Sequence, residues 1–201
     1  MTKFCERFMS RVLKCVLSAV IVLQGCNGSS EETVNAQRGV FLDSAVSGLR
    51  YATPTHQGVT DSEGAFYYSE GESVVFSIGE LAFPSITAAP TITPLELAES
   101  DDIEDDQTVN LLRLLQTIDE DQNPENGISI PKSAHEAVTI PKIRFNGTLD
   151  VEQFLGDIVA QIHDDGRDLV QKEAALDHFV NALSEEADSC LLYTSPSPRD
   201  S

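Results

Sequence analysis

The chain has 201 residues, with 33 Asp and Glu against 13 Lys and Arg and a formal charge of −20. Between residues 26 and 189 the imbalance steepens to 31 acidic side chains against 8 basic ones. A field of that sign repels nucleic-acid phosphates and anionic lipid heads, attracts divalent cations and keeps chains apart in solution.

Residues 1–25 have a different character. Lys3, Arg7, Arg11 and Lys14 precede an apolar run over residues 15–23, too short for a bilayer core that takes roughly 20 helical residues. A basic region, a short apolar core and a small residue make a secretory signal. The closing residues Leu23, Gln24, Gly25 and Cys26 resemble the lipobox of bacterial lipoproteins. That resemblance implies that Cys26 is diacylated on sulfur, becomes the mature N-terminus and holds the protein in a membrane through its acyl chains. Asn27 after the cysteine is not the aspartate of an inner-membrane retention signal, so the outer membrane is the expected address. Cys5 and Cys15 leave with the signal, Cys26 is taken by lipid, and Cys190 lies in an anomalous tail. No disulfide and no thiolate for a metal or a nucleophile is expected.

Residues 26–37 are small, polar and acidic and read as a flexible tether. From residue 38 the pattern shifts to short apolar and alternating runs. Strands are expected at 39–43, 49–53, 65–68 and 73–78, with a connection at 44–48 and turns at 54–58, 61–64 and 70–72. Asp61 and Gly64 supply the cap and the positive φ that a tight turn needs. Short strands at this spacing predict a small antiparallel sandwich or barrel.

Gly39, Asp43, Val46, Gly48 and Tyr51, then Thr60, Asp61, Gly64, Phe66 and Tyr68, then Gly71, Glu72, Val74, Phe76, Ile78 and Gly79, form a pattern that resembles the carboxypeptidase-regulatory-like, transthyretin-like β-sandwich. The Thr60-Asp61-x-x-Gly64-x-Phe66 element is its most telling part. It is also similar to the opening module of proteobacterial surface lipoproteins. The likeness covers about residues 38–86 and implies a binding or spacer module without peptidase activity.

Residues 81–97 carry Pro84, Pro90 and Pro94 and are expected to be extended, completing a module at 38–98. A mainly helical segment is expected over 99–189, giving an α+β chain. Acidic residues at 100–106 lead into the clearest helix, 107–118, whose apolar residues on nearly two faces predict burial. It runs into an acidic loop at 119–128. Asp119, Asp121, Asn123 and Glu125 alternate there ahead of Gly127 and Ile128, as the oxygens of a calcium-binding loop do. The loop departs from an EF-hand in the place of its glycine and in lacking a glutamate at position twelve. It therefore reads either as a calcium site or as a solvated Asp/Asn turn stopped by Pro124.

Further on, extended pieces at 129–131, 138–141 and 143–145 precede amphipathic helices from about residue 149, broken by Gly166, and from about 172 to 183. Residues 190–201 resemble the in-frame translation of a transposase-type sequencing adapter, so the natural chain is expected to continue past Ser189. His56, His135, His163 and His178 read as surface or turn residues. No H-E-x-x-H, G-x-S-x-G or phosphate loop occurs, so no enzyme is expected from these residues. The resulting expectation is a lipid-anchored envelope protein acting as a binding or spacer module, non-catalytic over these residues, with an envelope protein or a glycan as the candidate partner. The alternative is the N-terminal stalk of a longer envelope enzyme or adhesin.

Overall fold

The computed structural model describes residues 36–139 and 151–193. Cys26, the signal, most of the tether, the extended piece expected at 143–145 and residues 194–201 lie outside them. The architecture is mixed α+β, with mostly antiparallel sheets and five α-helices among the described residues.

Strand β1 (Gln37–Phe41) lies between β5 (Ala65–Tyr68), antiparallel to it, and β9 (Thr91–Ile92), parallel to it. A five-stranded sheet runs β4 (Gln57–Val59), β3 (Arg50–Ala52), β6 (Ser73–Ile78) and β7 (Leu81–Ala82), with β8 (Ile86–Thr87) beside the start of β6. The alternation in β6 turns Val74, Phe76 and Ile78 inward and leaves Ser73, Val75 and Ser77 outside. The two sheets meet through aromatic rings. Phe66 of β5 packs edge-on against Phe76 at 5.2 Å and Tyr51 at 5.9 Å, and Phe41 of β1 meets Phe76 at 4.9 Å. Gly39 lies under the Phe66 ring, where a Cβ would overlap both that ring and the Ala89 carbonyl.

Helix α1 (Pro94–Ala98) occupies a stretch expected to be extended. Proline is excluded from a helix interior but suits its first turn, where the missing N–H has no partner to lose. Thr93 accepts a hydrogen bond from the Leu95 N–H and Glu96 accepts one from the Thr93 N–H, a closed capping box.

Helix α2 (Asp106–Ile118) is capped by Asp105, which accepts from the Gln107 N–H at 2.9 Å. Ten of its thirteen residues are buried, so it is a central strut rather than a surface helix. Helices α4 (Val151–Ile162) and α5 (Lys172–Tyr193) pack on it. Buried Arg113 ties them together, donating to the Val170 carbonyl at 2.7 Å and to both oxygens of Glu152. Leu111, Leu114 and Ile118 of α2 share one hydrophobic core with Phe41, Phe66, Phe76 and Ile158.

Two further elements join sheet to helices. Strand β2 (Val46–Ser47), in the expected connection, pairs in parallel with β10 (Ile128–Ser129), which follows the acidic loop. Helix α3 (Lys132–Ala137) follows Pro131 and fills the gap between the pieces expected to be extended at 129–131 and 138–141. Its buried Ala134 belongs to the common core, and Pro131 stands just ahead of the helix, where it removes no helical bond.

Candidate functional site

The carbonyls that end α2 have no partners within the helix. They are met by cationic and imidazole groups from the α4–α5 connection. Arg167 donates to the Thr117 carbonyl at 3.1 Å and to the Asp119 carbonyl at 2.6 Å, and His163 Nε2 donates to the Ile118 carbonyl at 3.1 Å. A positive charge at a helix C-terminus also complements its dipole. The acidic loop thus begins from a fixed point.

Within the loop two of the four predicted ligand residues, Asp119 and Asp121, turn their carboxylates onto the loop's own N–H groups. Buried Asp119 accepts from the Asn123 N–H at 2.9 Å and the Ser129 N–H at 2.8 Å, closing the loop against β10. Desolvation holds its carboxyl above the usual range, against the pull of the Ser129 bond. Asp121 accepts from Asn126 Nδ2 and the Asn123 N–H, and these bonds hold its carboxyl below the usual range. Asn123 contributes its backbone N–H, and Glu125 turns away toward His178 at 3.2 Å. Among the described residues no three His, Cys, Asp or Glu side chains group as a metal site.

Beside this loop lies a cleft of about 840 Å³, walled by Glu120 and Ser129 on one side, Gly48, Arg50 and Val59 on another, and α3 with Lys132, Ser133, His135 and Glu136. A shallower depression of about 340 Å³ continues from Arg50 and Val59 across Gln57 and Ser77 on the outer face of the sheet. The exposed side chains of Arg50 and Lys132 make no hydrogen bond or ion pair among the described residues. His135 forms the joint of the cleft. Its Nδ1 accepts from the Gly79 N–H at 3.0 Å, so Nε2 carries the proton and donates to the Gly48 carbonyl at 2.7 Å. Burial pushes its pKa down, with the nearby Arg50 adding to the effect and the Gly48 bond opposing it. With both nitrogens engaged, His135 positions backbone and has no free atom for acid–base work.

A second polar cluster was not foreseen. His178, expected at the surface, is 6% exposed on the buried face of α5 with Ala175, Phe179 and Ala182. Its Nε2 lies 2.9 Å from Ser44 Oγ in the turn after β1. Next to it Asp43 is fully buried, accepting from Gln116 Nε2 at 3.2 and 3.3 Å, and that amide also donates to the Ala175 carbonyl at 3.2 Å. The sign available from sequence was the spacing of Ala175, His178, Phe179 and Ala182, which puts the imidazole in the apolar stripe.

Burial without a cation pushes the Asp43 carboxyl from 3.8 up to about 8, the Gln116 bonds opposing. Between those values the folded chain holds a proton that the unfolded chain has released, so this group lowers stability as pH rises from about 4 to about 8. Asp43→Asn is neutral throughout and keeps an oxygen for Gln116. It is expected to match the native protein near pH 4 and to exceed it by several kcal/mol at pH 8, at up to about 1.4 kcal/mol per unit. Urea titrations across that range check this, and parallel curves for the two proteins would refute it.

Comparison of the chain with protein-family models, with curated proteins and with solved structures finds no match.

Proposed function

We propose that this chain is a lipid-anchored module of the cell envelope that binds a polar, anion-bearing glycan or peptide in the cleft between β3–β4 and α3. One observation carries the reading. In a chain of charge −20, Arg50 and Lys132, whose side chains have no partner among the described residues, line one cleft together with Ser129, Ser133, Glu120 and Glu136. Cations without a side-chain partner are where a carboxylate ligand gains most, and the two glutamates favour a ligand that also carries donor groups. Exposed Val59 and the edge strand β4 add an apolar and a backbone contact for an extended ligand. The engagement of both His135 nitrogens supports binding rather than chemistry in this cleft.

The fold that frames the cleft we read as a transthyretin-like β-sandwich with helices built onto it. The aromatic contacts between the β1–β5 and β3–β6 pairs support this. The anchor rests on the lipobox-like residues ending at Cys26, which is proposed to carry the lipid. Calcium at Asp119, Asp121, Asn123 and Glu125 is not needed by this reading, since an ion there would have to displace bonds the loop already makes.

The test is binding of carboxylate-bearing peptidoglycan fragments by calorimetry, alongside membrane fractionation. Arg50→Ala with Lys132→Ala is expected to weaken binding at least about tenfold, roughly 1.4 kcal/mol, at unchanged thermal stability. Cys26→Ser is expected to leave the membrane fraction. Equal affinity of the double variant and the native protein would sink the cleft assignment, and a membrane-bound Cys26→Ser protein would sink the anchor.

A further inference from the structure

The four histidines of the chain are held in different ways. His135 is clamped between two backbone groups, His163 meets the end of α2, and His56 faces Thr55 and Glu72 through the same nitrogen. Among the described residues, His178 alone has a hydroxyl at one ring nitrogen and a carboxylate at the other. Ser44 Oγ lies 2.9 Å from Nε2, and Glu125 Oε1 lies 3.2 Å from Nδ1.

The partners dictate where the protons are. A carboxylate accepts and cannot donate, so Nδ1 carries the hydrogen toward Glu125. In the neutral imidazole Nε2 is then bare and accepts the Ser44 hydroxyl proton. That polarity is what a general base for an oxygen nucleophile requires, with the acid residue fixing ring and tautomer. His135, with the reverse tautomer and no hydroxyl, has none of it.

The placement of Ser44 supports the same reading. It occupies the left-handed region at φ 56, which residues other than glycine, asparagine and aspartate rarely adopt. Glycine would fit this turn better but would bring no hydroxyl. The imidazole is 6% exposed, whereas Ser44 is half-buried and the Glu125 side chain is 71% exposed, so the relay opens at the surface.

We propose that Ser44, His178 and Glu125 form a nucleophilic serine site that hydrolyses small uncharged or cationic acyl esters, separate from the cleft. The acidic surface repels anionic esters. Ser44 Oγ attacks the acyl carbon as its proton passes to His178 Nε2. The bond to the alcohol then breaks, the alkoxide taking that proton. Water attacks the Ser44 ester, gives a proton to the same nitrogen, and releases the acid as the serine hydroxyl is restored. Ser44 and His178 are the catalytic residues, and Glu125 is a positioning residue.

The full chain is treated with a biotinylated ethyl fluorophosphonate, labelled peptides are mapped, and p-nitrophenyl acetate hydrolysis is followed in parallel. Label on Ser44 is expected. Ser44→Gly, which suits the positive φ, is expected to melt at or above the native temperature, to take no label and to lose ester hydrolysis at least 100-fold. Glu125→Gln is expected to lower kcat more than tenfold at unchanged KM, with Glu125→Asp recovering part of it. A folded native protein that takes no label, or a Ser44→Gly protein that keeps it, overturns the proposal. Neither result bears on the Arg50 and Lys132 cleft.

Discussion

Phe66→Ala is expected to cost about 3–5 kcal/mol of folding stability, the largest loss from any single truncation in the sheets. The ring is fully buried and touches Tyr51, Tyr68 and Phe76, so it joins the strands of one sheet to those of the other. Removing it loses its transfer energy and its edge-to-face contacts, the latter worth about 0.5–1.5 kcal/mol per pair beyond area. The neighbours cannot slide in to fill the gap, because each is held by its own strand register. Phe66→Leu retains much of the volume and should cost less than half as much. Denaturant midpoints at constant slope are the measurement, and a loss below about 1.5 kcal/mol for the alanine variant would show that the cavity collapses.

The second large effect belongs to the backbone. Gly48→Ala is expected to cost about 2–4 kcal/mol, far beyond the penalty of an ordinary loop substitution. Gly48 has φ 81, and a Cβ there would overlap the Ile130 carbonyl, a backbone atom that cannot rotate away. The Ile130 N–H donates to the Ser47 carbonyl at 2.9 Å, so relieving the overlap pulls β10 from β2. The Gly48 carbonyl also receives the His135 proton, and the cleft loses its joint with the same change. Denaturation and ligand affinity should therefore fall together. A loss under about 1 kcal/mol would mean that the 130 segment gives way freely.

Much of this architecture was legible in the residues. Strands over 65–68 and 73–78 follow from short apolar runs between turn signals, and the Asp61–Gly64 turn from its cap, with Asp61 accepting from the Glu63 and Ala65 N–H groups. The buried α2 follows from apolar residues on nearly two faces. Helix α1 was also readable, since Thr93, Pro94 and Glu96 spell a capping box, but proline was weighed as a breaker rather than as a first residue. The parallel ladder between Val46 and Ile128 was not legible, because two-residue strands have no period and their partner is distant. The clusters around Asp43 and His178 are joined by tertiary contacts, and only their spacing in an apolar stripe hints at burial. Alternating oxygens at 119–125 were open to reading as a calcium loop or as a solvated turn, and their spacing does not show the direction each carboxylate takes.

The β2–β10 ladder has a consequence for the order in which the chain is made. When the first hundred residues have left the ribosome, Val46 and Ser47 still lack their partners, and the core still lacks α2. Contacts so far apart in sequence form late and slowly, after the entropy of closing a long loop has been met. The sheets therefore cannot finish folding ahead of the helices. The β2–β10 ladder stays open until residue 130 is available.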